Sequence, residues 1–302
     1  MAIWGIDLGG TKIEAVVLSD ADDPQVLART RIDTEADGGY EHIINRIALL
    51  VEMVTKEYGH PPERLGIGTP GTMDPITGTL KNSNTTALNG KPFQQDLQKK
   101  LGIPVTMAND ANCFALAEAR MGIVKDEMPD AAMVFGVIMG TGVGGGLVMN
   151  GKVWNGRQGI AGEWGHNFLD ESGGECYCGK VGCVETVISG KNLERYHKKT
   201  YGEDKKLKQI YAEHLAGGHA NSTATIQRLI HFFGKGLASV INMFDPDVIV
   251  LGGGVGNIDL LYTEGVKSIE QFIFNPRVDT VILKPKLGDS AGVFGAALLS
   301  EG

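Results

Sequence analysis

The sequence predicts an α/β protein of two domains, and three observations carry that prediction. An apolar run, a glycine-rich turn and a second apolar run stand at the amino terminus (IWGIDLGGTKIEAVVLSD) and recur further on (MVFGVIMGTGVGGGLVMNGKVW). Strand-like and helical periodicities alternate through the rest of the chain. Finally, 302 residues are enough for two ordinary hydrophobic cores.

In chain order, the opening segment reads as two strands joined by Gly9, Gly10, Thr11 and Lys12. From Tyr40, Ile43, Ile44, Ile47, Leu50, Val51 and Val54 recur at helical spacing and predict a helix of about 18 residues. RLGIGTPGTMD reads as a strand into a Gly/Pro turn, and IPVTMAND as a strand followed by a helix, ANCFALAEARMG, that Asp110 is placed to cap. The repeated strand–turn–strand follows; GIDLGGTKIEAVVL and GVIMGTGVGGGLVM align along their whole length, which suggests two related halves. A polar helical region then leads to a helix with Ile226, Leu229, Ile230, Phe233, Leu237, Ile241 and Phe244 on one face. DPDVIVLGGG reads as a buried strand into a third glycine turn, and VILKPKLGDSAGVFGAALL as a strand, a turn and a small-residue helix. Residues 1–122 with about 289–302 are expected to form the N-terminal domain, and 123–288 the C-terminal one.

Composition excludes several classes of function. Hydrophobic residues at 42% and charged residues at 21% are those of a globular chain, not of a disordered or fibrous one. A net charge of −8 argues against nucleic acid as a partner. No stretch of apolar residues is long enough to span a membrane, and no basic start precedes an apolar run, so neither membrane nor export is expected. The expected compartment is the cytoplasm, where clustered cysteines are more often metal ligands or catalytic groups than disulfides.

Three glycine turns at strand ends, around Gly9–Gly10, Gly140–Gly146 and Gly252–Gly254, let backbone N–H groups approach phosphate without a β-carbon in the way. None is a Walker P-loop, and a strand instead of a helix follows GTGVGGG, so the dinucleotide fingerprint fits only formally. Asp7, beside the first turn, reads as a Mg²⁺ contact through water or as a turn-stabilising residue. Asp110 reads as a plain helix cap or as the base of a phosphoryl transfer, for which an ordinary ionised carboxylate suffices. His166, Cys176, Cys178 and Cys183 form a Cys₃His set that fills a closed structural Zn²⁺ site; the alternatives are unligated thiols or a Cys176–Cys183 disulfide. Glu163 and Glu185 bracket that set and suit a polyhydroxylated ligand, or merely hydrogen-bond the loop.

These residues resemble the ROK family of sugar kinases along essentially the whole chain. The resemblance rests on IDLGGTK, GIGTPG, NDAN, GTGVGGG, GEWGH, CYCGKVGCVET and VIVLGGG, of which GEWGH paired with the cysteine segment is the most specific. Within the family, ALNGKPF, ECYCGKVGCVETVISG and GDSAGVFGAA look most like bacterial fructokinases of the manno(fructo)kinase type, with glucokinase and N-acetylglucosamine kinase as near relatives. The resemblance implies a two-domain actin-like ATPase fold (hexokinase- and Hsp70-like, ribonuclease H-like) with a ligand cleft between the domains. It implies ATP with Mg²⁺, a hexose acceptor, a structural zinc and a homodimer. Asp110 is then the base; Pro70, Gly71, Asn84, Asn109, Glu163, His166 and Glu185 bind the sugar. His166 would place one ring nitrogen on zinc and the other on a sugar hydroxyl. Gly9, Gly10, Thr11, Lys12, Gly140, Thr141, Gly142 and Gly144 face the phosphates, and Gly252, Gly253 and Gly254 lie by the adenosine.

Two other classes compete with a hexose 6-kinase. A sugar-sensing regulator of the same family would need a DNA-binding segment ahead of the first strand, for which the reading finds no room. An actin-like ATPase doing conformational work would need no zinc loop beside sugar-suited carboxylates.

Overall fold

The computed structural model describes residues 2–301. Strands β1 (Ile3–Leu8) and β2 (Lys12–Leu18) form the expected antiparallel hairpin, and β3 (Val26–Asp33) continues it on the outer edge. Helix α1 (Tyr40–Tyr58) buries all six residues of the predicted stripe. After it come β4 (Leu65–Thr69), the short pair β5 (Thr72–Met73) and β6 (Leu80–Lys81), α2 (Phe93–Leu101), β7 (Val105–Asn109), α3 (Asp110–Arg120) and α4 (Ile123–Glu127). The first large sheet has the order β3-β2-β1-β4-β7, with β1, β4 and β7 parallel.

The second half begins with β8 (Met133–Met139), β9 (Val143–Met149) and β10 (Lys152–Val153). Helices α5 (Val184–Ile188), α6 (Gly190–Tyr201), α7 (Leu207–Ala216) and α8 (Ala220–Phe244) precede β11 (Val248–Gly252) and α9 (Gly253–Gly256). The chain ends with α10 (Glu264–Glu270), β12 (Val281–Leu283) and α11 (Ala291–Leu298). The second sheet runs β10-β9-β8-β11-β12, the same arrangement of a hairpin followed by crossover strands. This shared order is the structural counterpart of the aligned hairpin sequences.

The chain divides into two compact units. One comprises the chain up to Asp130, Gly146–Gly162 and the chain from Lys286; the other comprises Ala131–Gly145 and Glu163–Pro285. Residues 123–130, 146–162 and 286–288, read from sequence as part of the second domain, thus cluster with the first unit. No helix among the described residues is long and apolar enough to cross a membrane.

In the first unit α11 is drawn tightly onto its neighbours because two glycines leave room. A β-carbon on Gly66 of β4 would overlap the carbonyl oxygen of Ala296, and one on Gly295 would overlap that of Cys113 in α3. The small-residue helix therefore packs backbone to backbone against both the strand and the helix that carry the candidate site. Buried Glu118 fastens the same region by accepting backbone N–H bonds from Ile123 at 3.0 Å, Lys286 at 3.1 Å and Leu287 at 2.9 Å.

Local differences from the sequence reading have local causes. The cap of α3 is Asn109, whose Oδ1 accepts from Ala111 N–H at 2.9 Å; Asp110 is the first helical residue instead of the cap. On α8, Ile230 is only partly buried and Phe244 is exposed, because the helix ends there at Asp245, in the left-handed conformation.

Candidate active site

In the first unit the parallel strands β1, β4 and β7 end side by side, with Asp7 opposite Gly68 and Thr69 opposite Asn109. Ligands of α/β sheets bind at such carboxyl ends. Asp7 also faces Glu14 across the hairpin, while Arg29 and Arg31 hold the Glu14 carboxylate, each at 2.7 Å. Burial, and then the charges of Asp110 and Glu14, push the Asp7 carboxyl up to about 6, against the smaller pull of Arg31. Burial likewise raises Asp110, offset in part by the Ala111 N–H donated to it at 2.8 Å and by Asn109. A buried carboxylate raised further by the charge of a second one leaves an excess of negative charge that suits a cation.

The Asp7 shift has a direct consequence for stability. Its folded value lies above that of a free aspartate, so the folded state holds the proton more tightly. The resulting penalty is absent below about pH 4, grows up to about pH 6 and is constant above, reaching about 3 kcal/mol at most. Asp7→Asn should therefore stabilise the ligand-free protein at pH 8 and leave it unchanged at pH 3.5. Denaturant midpoints at the two pH values test this; equal effects at both would assign the gain to something other than the buried charge.

The first turn is tied down by Gly9 N–H donating to the Lys12 carbonyl at 2.9 Å and by the Thr34 hydroxyl donating to the Gly9 carbonyl at 2.7 Å. Gly10 and Thr11 are exposed on it. Lys12 projects to an exposed ion pair with Asp33, so its ammonium is engaged outside the turn. Pro70 and Gly71 are buried, and Asn109 Nδ2 donates to the Gly71 carbonyl at 3.2 Å, fixing that loop to the start of α3. Asn84 is exposed, and its neighbour Thr85 is buried.

In the second unit, the ends of β8 and β11 carry the other two glycine turns, with Ile138 in register with Gly252. Gly253 has φ +77°, and a β-carbon there would overlap the Met139 carbonyl, so only glycine fits. Thr141 is exposed; Gly142 and Gly144 are partly buried. Gly140 N–H donates to the Gly142 carbonyl at 2.9 Å, and Gly254 has open space where its β-carbon would lie. Glu185 Oε2 accepts from Val143 N–H at 3.0 Å, joining the second turn to α5 beside the cysteine loop.

In that loop the ligand atoms of His166, Cys176, Cys178 and Cys183 lie within 4.8 Å of one another, and all four cysteines of the chain are free thiols. Cys176 Sγ is 3.6 Å from His166 Nδ1, and Cys178 Sγ is 3.6 Å from Cys183 Sγ. Zinc bound tetrahedrally at about 2.3 Å per thiolate places sulfurs roughly 3.8 Å apart, so the donor set fits a structural zinc and does not fit a disulfide. The backbone shapes the cup: Cys176 N–H donates to the Lys180 carbonyl at 2.8 Å, and Gly182 turns at φ +75°. With Nδ1 toward the thiols, His166 Nε2 meets the Tyr177 hydroxyl at 2.9 Å, so the nitrogen expected to meet a sugar hydroxyl has a tyrosine against it. Burial, and then the charge of Glu185 with a smaller share from Glu163, pushes that phenol up to about 12.

Sequence reasoning passed over Arg29, Arg31, Tyr177 and Thr85. Tyr177 sits between two of the ligand cysteines, and that spacing was its signal; the others had none.

The comparisons with known proteins bear on the fold and the family. The ROK family pattern matches residues 3–302. The chain is 38% identical over 306 residues to an N-acetyl-D-glucosamine kinase of Vibrio parahaemolyticus, covering 98% of each. Its fold matches that of the ROK hexokinase from Thermus thermophilus with a TM-score of 0.87 at 31% identity, covering 100% of this chain and 98% of that one. A ROK family glucokinase from Streptomyces griseus, solved with glucose and AMPPNP, matches with a TM-score of 0.78 at 29% identity over 100% and 99% of the two chains. The two α/β domains with their mixed five-stranded sheets are those of the actin-like ATPase fold, and the chain belongs to the ROK family, as an ATP-dependent sugar kinase.

Proposed function

We propose that this kinase transfers the terminal phosphoryl group of ATP to the 6-hydroxyl of a hexose, with N-acetyl-D-glucosamine as the preferred acceptor. The observation that carries the reading of the site is the placement of Asp7 and Asp110 at the carboxyl ends of parallel strands of one sheet, where the charge of Asp110 adds to the burial that raises Asp7. Asp110 orients the acceptor hydroxyl and takes its proton as the new oxygen–phosphorus bond forms and the bond to ADP breaks. Asp7 would hold Mg²⁺, which would neutralise charge on the phosphates. Gly9, Gly10 and Thr11 with Gly140, Thr141, Gly142 and Gly144 receive those phosphates, and Gly252, Gly253 and Gly254 border the nucleoside. Lys12 contributes only if it leaves Asp33. Asn109, Asn84, Pro70, Gly71, Glu163, His166 and Glu185 hold the sugar; zinc held by His166 Nδ1 would fix the ring, and Nε2 reaches a sugar hydroxyl only if Tyr177 gives up its contact with it.

The choice of acceptor rests on relatives at 36–38% identity over nearly the whole chain that are N-acetyl-D-glucosamine kinases. A second reading, fructose or mannose, rests on the segments ALNGKPF, ECYCGKVGCVETVISG and GDSAGVFGAA. ADP release with Mg²⁺-ATP and N-acetylglucosamine, fructose, mannose, glucose or no sugar separates them. The expected result is a kcat/KM for N-acetylglucosamine at least roughly tenfold above the others, about what the net gain of one hydrogen bond supplies. A higher value for fructose or mannose would replace the acceptor, and sugar-independent release would sink the kinase reading.

A further inference from the structure

The hydroxyl of Thr85 has no hydrogen-bond partner among the described residues, although the residue is only 7% exposed. A buried hydroxyl left unpaired is a cost that folded proteins rarely carry. Its position is set by the backbone: Thr85 N–H donates to Ser83 Oγ at 3.1 Å, and its carbonyl accepts from Leu88 N–H at 3.0 Å.

What that hydroxyl faces is the first glycine turn. A β-carbon built on Gly10 would lie 3.7 Å from Thr85 Oγ1, and beyond the turn's own adjoining residues nothing else comes within 4 Å of that point. The missing side chain of Gly10 thus leaves a small space with one polar wall, on the turn assigned above to ATP phosphate. Gly10 is itself exposed, so solvent reaches this space when no ligand fills it. An anionic oxygen suits it better, because a hydroxyl donates most strongly to a charged acceptor. Asn84, next to it in the chain and exposed, is one of the residues assigned above to the sugar.

We propose that Thr85 is a further catalytic residue, whose hydroxyl donates a hydrogen bond to a non-bridging oxygen of the phosphoryl group in transfer. The inference rests on the kinase reading and on the first turn as its phosphate site. The bond strengthens as charge spreads over the equatorial oxygens, so the residue acts on turnover more than on nucleotide binding.

The test compares Thr85→Val and Thr85→Ser with the unaltered full-length protein, using its best hexose. Valine keeps the shape and removes the donor. It should lower kcat roughly 10- to 100-fold, the range expected for a hydrogen bond to a charged group, while leaving the Kd for ADP within about threefold. The thermal midpoint should stay level or rise, since an unpaired buried hydroxyl is gone, whereas a merely structural role would lower it. Serine should restore most of kcat. Unchanged kcat in Thr85→Val, or a loss matched by weaker ADP binding and a lower midpoint, overturns the inference alone. Absence of hexose-dependent turnover in the unaltered protein overturns the kinase reading and the inference with it.

Discussion

Asp110→Ala is expected to lower kcat by about 10³-fold, near the middle of the range for a general base, with the hexose Kd changed by no more than a few-fold. The structure explains why the fold should tolerate the change. The N–H of Ala111 that reaches Asp110 Oδ1 also reaches Asn109 Oδ1, so the first turn of α3 keeps its cap. The substitution also removes a carboxylate that is costly to bury, so stability should hold or rise slightly. Because burial places the Asp110 carboxyl above the usual aspartate range, the acid limb of kcat/KM should fall at a higher pH than a solvent-exposed aspartate would give. Titration calorimetry with the hexose and a coupled ADP assay check both halves. Turnover within tenfold of the unaltered protein would remove Asp110 from its role as base.

Removing the metal should produce the opposite pattern, with binding lost before chemistry. Cys178→Ser takes away the most exposed of the four ligands. The loop then loses a clamp that fixes His166 and, through the following helix, Glu185. Glu185 also holds Val143 N–H of the second glycine turn, so the damage should extend from sugar to nucleotide. The expected results are one zinc per chain in the unaltered protein and less than a tenth of that in the variant. The hexose KM should rise tenfold or more, and the thermal midpoint should fall by on the order of 5 °C. Metal content by mass spectrometry of the intact protein comes first. A fully active protein without metal would mean that hydrogen bonds alone hold the loop.

Sequence made the hairpins, α1, β11 and the cysteine cup legible, because each is encoded within a short stretch by periodicity or spacing. Strand β3 was not read: as an edge strand it alternates Arg29 and Arg31 with weakly buried neighbours, which leaves little apolar signal. Helix α2 was missed because only Phe93 and Leu97 are buried in it, too few to establish a period. Within the site, residue identities were legible and their pairings were not. That Lys12 turns to Asp33, that Glu185 ties down Val143 and that Thr85 lies under Gly10 are facts of register and long-range packing, for which one sequence offers no pattern. The switch of cap from Asp110 to Asn109 is of another kind: both residues cap well, and the choice depends on the conformation of a single residue.

The close packing of α11 has a consequence for how the protein is made. Its partners β1, β4 and α3 leave the ribosome early, but the helix that covers them is encoded by residues 291–298. Until residues 291–298 have been made, the apolar face beneath Gly5 and Gly66 has no cover. The unit that holds Asp7 and Asp110 therefore cannot complete its packing until α11 has been made. A nascent chain stalled before Ala291 should accordingly be prone to chaperone capture and proteolysis at its amino-terminal end.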